Sequence, residues 1–245
     1  MIVTEEMHDI DTPTGVMRTY LYRPANQGLF PSLIFYSEIF QQTAPIARLA
    51  TILAGHGFVV LVPEIFHELN PIGTVLDYDD IGKDKGNIDK HTKALESHDS
   101  DTVALVEFAR RQAFCSSQIG AIGVCIGGHL AFRAALNPDI SGAFCLYPTD
   151  LHSDNLPCEV GNQSLMRCGE IQSELQMIWG RQDPHTNETA RQLIYRELNA
   201  QNCDFTWMEV NGAHAFMRDE GERYDPELCL RMSQNAVSFF KRVLI

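Results

Sequence analysis

Positive charge is scarce in this chain. Nineteen lysines and arginines stand against 32 aspartates and glutamates, a formal charge of −13 over 245 residues. Nucleic acid and anionic membrane are polyanions that such a surface repels, so neither is expected as a partner. The first residues lack a basic start and an apolar centre. Met1 to Asp11 carries Glu5, Glu6 and Asp9 instead, so no export signal is expected and the expected location is the cytoplasm. No uninterrupted apolar run approaches membrane-spanning length. The seven cysteines (Cys115, Cys125, Cys145, Cys158, Cys168, Cys203 and Cys229) contain no CxxC pair and no zinc spacing. Without an export signal they are expected as reduced thiols, six of them structural or incidental. No cluster of His, Asp and Glu has metal-ligand spacing, and neither a metal nor another cofactor is expected.

What is present is an ordinary globular composition, 44% hydrophobic and 21% charged, with no internal repeat and no composition break. A single domain spanning 1–245 is expected. Strand-like runs (18–22, 31–36, 58–62, 119–124, 142–147, 174–179 and 204–210) alternate with helix-like runs (44–55, 91–113, 188–198 and 225–242). That alternation implies an α/β fold: a mostly parallel central sheet with helices on both faces. Between Glu64 and Lys90 lies a long polar stretch with Gly73, Gly82 and Gly86, expected to be a lid or pocket loop, or else a plain solvated excursion.

Gly123-Val124-Cys125-Ile126-Gly127-Gly128 carries the most chemical information. An apolar strand ends in this turn and a helix-like run begins at about Gly128. The layout is that of a nucleophile elbow with cysteine in place of serine. A strand turning straight into a helix crowds the residues two positions either side of the nucleophile, and glycine at 123 and 127 relieves that crowding. Position 125 is then presented near a helix N-terminus, which favours a thiolate. A glycine-rich turn with a buried structural Cys is the plainer alternative.

Parallel sheets place their sites at the carboxyl ends of strands. Three further groups stand just past such ends: Asp183 in Trp-Gly-Arg-Gln-Asp-Pro, His214 in Gly-Ala-His-Ala-Phe, and Glu38 in Tyr-Ser-Glu-Ile. Nucleophile, acid and histidine follow in the chain order of α/β-hydrolases. In that arrangement His214 takes the thiol proton and returns one to the leaving group, and Asp183 holds the imidazole tautomer. The backbone N–H groups of Ile39 and Ile126 are the expected oxyanion donors. Among the other histidines, His129 reads as packing behind the elbow, His91 and His98 as surface, and His67 as a candidate for the pocket rim.

On Gly-Val-Cys-Ile-Gly-Gly, Trp-Gly-Arg-Gln-Asp-Pro and Gly-Ala-His-Ala-Phe, with Glu38 after the apolar strand, the chain resembles the dienelactone hydrolase (carboxymethylenebutenolidase) family of α/β-hydrolases from about Thr12 to Leu244. The resemblance implies a hydrolase of a small ester or lactone, working through a Cys125 acyl-enzyme. It also implies that Glu38 pairs with the resting thiol and takes part in forming the thiolate when substrate binds. Arg218 matches one of the arginines that hold the substrate carboxylate in that family. The position matching the other looks like Glu68, a carboxylate that would repel an anion. Ala215 follows the histidine where the family carries a hydroxyl. Two readings without catalysis stand beside this one: a binding or regulatory protein on the same fold, and a redox-sensing thiol protein using Cys125.

Overall fold

The computed structural model describes residues 1–153, 155–157, 161 and 163–245. Cys158 lies outside the described residues.

Eight strands form one sheet in the order β1-β2-β4-β3-β5-β6-β7-β8. β1 (Val3–Thr12) and β2 (Gly15–Pro24) form an antiparallel hairpin, and β2 also runs antiparallel to β4 (Val59–Pro63). From β4 onward the pairings are parallel, through β3 (Phe30–Tyr36), β5 (Cys115–Val124), β6 (Ile140–Leu146), β7 (Glu174–Gly180) and β8 (Phe205–Val210). This is the α/β-hydrolase arrangement that the alternation and chain order predict.

The sheet is buried on both faces because its central strands are apolar at most of their covered positions, Ser32 and Gln176 being buried exceptions. Neighbouring residues point in opposite directions and feed two separate cores. Ile34, Leu61, Ala121 and Met177 meet α3 (Leu95–Arg111), α4 (Ile126–Ala134) and α5 (Glu188–Ala200) on one side. Leu33, Val60, Ile122 and Ile178 meet α1 (Ala44–Gly55) and α6 (Pro226–Leu244) on the other. No helix among the described residues is long and apolar enough to cross a membrane.

Two elements depart from the sequence reading. β1 is an edge strand whose alternation of exposed and half-buried positions carries charged side chains, so it lacks an apolar signature. The stretch from Glu64 to Lys90 is not a plain loop: its second half is α2 (Asp80–Thr92), and the helix expected at 91–113 starts at Leu95. Two of the three glycines that read as loop residues serve close approach instead. A Cβ on Gly86 would stand 2.7 Å from the Ile39 carbonyl oxygen, and one on Gly82 only 2.1 Å from that of Asp77. His98, read as a surface residue, is buried on α3.

Candidate active site

The turn after β5 brings Cys125 to the top of the sheet. Its φ of 60° and ψ of −125° lie in a region that a non-glycine residue enters only at a cost. Three backbone bonds hold it there. Its N–H donates to the Leu146 carbonyl at 3.1 Å, and its own carbonyl accepts from Gly128 at 3.0 Å and Thr149 at 3.2 Å. The flanking glycines are obligatory. A Cβ on Gly123 would fall 1.9 Å from the Gly127 oxygen, and one on Gly127 would fall 2.1 Å from the Tyr36 oxygen. α4 starts at the next residue, so the Ile126 N–H has no carbonyl one turn behind it to accept its proton.

Asp183 and His214 project from the turns after β7 and β8, adjacent parallel strands whose turns are tied together by backbone bonds. Arg181 donates to Val210 at 2.8 Å and Gln182 to Gly212 at 3.0 Å. His214 Nδ1 and Asp183 Oδ2 meet at 2.6 Å, and Asp183 Oδ1 accepts the His185 N–H at 2.8 Å. Burial opposes both charges. At Asp183 the His214 hydrogen bond and charge outweigh it, and the carboxyl pKa falls below its ordinary value. At His214 burial is outweighed by the interaction with Cys125 and the hydrogen bond to Asp183, which lift the imidazolium to about 10.

Cys125, His214, Glu38, Ile39 and Arg218 line one cavity of about 550 Å³. Asp183 stands behind His214, away from the opening. The structure therefore gathers all the expected catalytic side chains and both expected backbone donors at the carboxyl ends of the parallel strands. Glu38 is buried, and burial pushes its carboxyl up, although Arg218, Tyr78 and His214 pull the other way. Its partners differ from those the resemblance implies. Tyr78 donates to Glu38 Oε1 at 2.8 Å, and Arg218 lies 3.6 Å from Oε2. The Arg218 guanidinium also stacks on Tyr78 at 4.3 Å and Phe40 at 5.7 Å.

Glu68 is not brought to this cavity. It faces Lys93, a fully buried ammonium at 3.8 Å that is also bonded to Asp101 at 2.6 Å, and a buried cation of that kind requires anions around it. His67 is likewise drawn inward, its Nε2 lying 3.1 Å from Asp101, so it does not line the cavity rim. The sequence reading did not single out Tyr78, Lys83, Lys90, His185 or Arg223, all of which line the cavity. Tyr78, Lys83 and Lys90 come from α2 and its approach, where a polar sequence hid a helix lying across the opening. His185 stands with its ring centroid 4.5 Å from that of His214. Its ligand atoms, those of Asp183 and those of His214 lie within 4.8 Å of one another, a cluster of metal-ligating types that their spacing in the chain conceals. Within it both Asp183 oxygens already accept hydrogen bonds.

The profile of the Dienelactone hydrolase family matches residues 17–244. A Saccharomyces cerevisiae protein with the provisional name carboxymethylenebutenolidase is 39% identical over 231 residues, covering 90% of this chain and 84% of that protein. The carboxymethylenebutenolidase of Pseudomonas putida is 26% identical over 197 residues, covering 79% and 78%. Among solved structures, a Klebsiella pneumoniae protein provisionally described as a dienelactone hydrolase superposes with a TM-score of 0.84 at 20% identity, over 98% of this chain and 99% of that one, a likeness of fold.

Proposed function

We propose that this chain, which belongs to the dienelactone hydrolase family, hydrolyses a small ester or lactone through a thioester on Cys125. The observation that carries the reading is the strained Cys125, set at the start of α4 in the same cavity as a His214 already bonded to Asp183. In this reading the thiolate attacks the substrate carbonyl. The N–H groups of Ile39 and Ile126 receive the oxyanion, each such donor contributing about 3 kcal/mol in other enzymes. His214 protonates the departing alkoxide and then deprotonates the water that resolves the thioester. Asp183 keeps the imidazole oriented throughout.

Arg218 and Glu38 address the substrate. A carboxylate on the ester or lactone would be received by Arg218, whose guanidinium carbon lies 4.3 Å from the centre of the Tyr78 ring in the cavity wall. It would then compete with Glu38 for that cation. A Glu38 released from Arg218 becomes available to the thiol proton, so nucleophile formation would be tied to the arrival of an anionic substrate. The test is a screen of short aryl esters and lactones against wild type and Cys125→Ala. The reading expects turnover in the first and none above background in the second. Equal turnover in both contradicts it.

A further inference from the structure

Two cysteines outside the cavity are brought into contact by the fold. Cys168 sits in the short 3-10 helix 165–170 that precedes β7, and Cys203 in the turn between α5 and β8. The Cys203 thiol donates to the Cys168 carbonyl oxygen at 3.3 Å. Asn202, left-handed with φ 56°, turns the chain so that the Cys203 N–H reaches the Leu198 carbonyl at 3.0 Å, which fixes the side chain against the 3-10 helix. Cys168 is fully buried and Cys203 is half-buried. Neither touches the active-site cavity.

We propose that Cys168 and Cys203 form a redox pair that closes into an intramolecular disulfide when the protein meets a small disulfide such as oxidised glutathione. The Cys203 thiol, the more accessible of the two, gives up its proton and attacks one sulfur of the oxidant. The oxidant's S–S bond breaks and one glutathione leaves as a thiol. Cys168 then attacks the Cys203 sulfur of the mixed disulfide, loses its proton and expels the second glutathione. The two protein thiols lose two electrons, and one small disulfide becomes two thiols.

The surroundings set the order of these events. Burial pushes the Cys168 thiol up to about 12 and raises the half-buried Cys203 as well, although there the neighbouring Cys168 pulls the other way. The first attack therefore falls to Cys203. The buried Cys168 needs no access to solvent, because the Cys203 sulfur already lies against its residue, 3.3 Å from its backbone oxygen. Closure is slow compared with a low-pKa sensor thiol. The resulting loop encloses β7, the Asp183 turn and α5, so the cross-link restrains the unfolded form of the segment that supplies the catalytic acid.

The test incubates the full chain with oxidised glutathione, blocks residual thiols with N-ethylmaleimide, and maps peptides without reductant. The expected result is a Cys168–Cys203 cross-linked peptide. A melting temperature several degrees above that of the reduced protein should accompany it, reversed by dithiothreitol and absent in Cys203→Ser. Recovery of both residues as N-ethylmaleimide adducts, a glutathione adduct that persists on Cys203, or pairing of either residue with Cys158 would each overturn the proposal. The peptide map of the wild type decides the matter even if the variant folds poorly.

Discussion

Arg218 and Glu38 share a single contact at 3.6 Å, and it joins the two halves of the cavity wall. Glu38 comes from the end of β3 and Arg218 from the turn after β8, at opposite ends of the strand run that carries the site. Tyr78, on the approach to α2, bonds one and stacks on the other, so three separate segments meet at one ion pair.

A charged hydrogen bond is worth roughly 1.5–3 kcal/mol, so removing a carboxylate receptor should cost about 10- to 100-fold in apparent affinity. Arg218→Ala is expected to raise KM for esters bearing a carboxylate by that factor relative to neutral esters of the same size. Steady-state kinetics on a matched pair of esters checks this, and an equal rise for both would remove Arg218 from substrate recognition.

Asp183→Asn should keep the shape of the site and lose the orienting charge. In a related arrangement such a change lowers kcat by about 10⁴. A fall of roughly three to four orders of magnitude in kcat with a small change in KM is the expected outcome. A loss of less than tenfold would show that His214 does not depend on this carboxylate.

Gly86→Ala reaches the oxyanion region from outside the site. The added methyl would lie 2.7 Å from the Ile39 oxygen and 2.9 Å from its Cβ, so Ile39 or α2 must shift. A displacement of about 1 Å at a positioning group is worth up to about 100-fold in rate. The expected signature is a lower kcat with KM little changed, in a variant whose circular dichroism matches wild type.

The pH dependence of stability follows from the His214 and Asp183 shifts. His214 is lifted to about 10 in the folded protein, against about 6.5 in an unfolded chain. Its stabilising contribution is complete below pH 6.5 and disappears as pH rises toward 10. Asp183 is lowered, so its contribution is complete above the ordinary carboxylate range and is lost as pH falls through its depressed folded value. Urea midpoints measured from pH 6 to 10 should decline more steeply in wild type than in His214→Gln. Parallel curves would contradict the assigned shift.

Lys93 tests the buried network that takes Glu68 away from the cavity. Removing one partner of a buried ion pair costs about 3–5 kcal/mol, because the other charge is left uncompensated. Lys93→Ala should lose stability on that scale in denaturant unfolding, whereas a change below about 1 kcal/mol would show that Asp101 is neutral or otherwise satisfied.

The parts of this protein that were legible in its sequence are those with strong local physics. The central strands are mainly apolar, so β3, β4 and β7 appear within a residue or so of their true bounds. The elbow is legible because Gly123 and Gly127 answer a steric demand that no other residue meets. The side chains gathered around Cys125 follow from strand ends, which pattern reading locates well. α2 was hidden because its exposed face is polar and its glycines, placed for close approach to Asp77 and Ile39, look like loop residues. The partners of Glu38 and Glu68 were hidden for a different reason. Tyr78 and Lys93 are distant in the chain from the carboxylates they meet, and only the packed structure brings them together.

The central claim is that Cys125 carries the acyl group, and intact-protein mass spectrometry during turnover of a slowly hydrolysed aryl ester tests it most directly. The account predicts a transient mass increase equal to the acyl group, mapped to the peptide bearing Cys125, prolonged in Asp183→Asn and absent in Cys125→Ala. Steady hydrolysis with no acyl adduct on Cys125, or with the adduct on another residue, would contradict it.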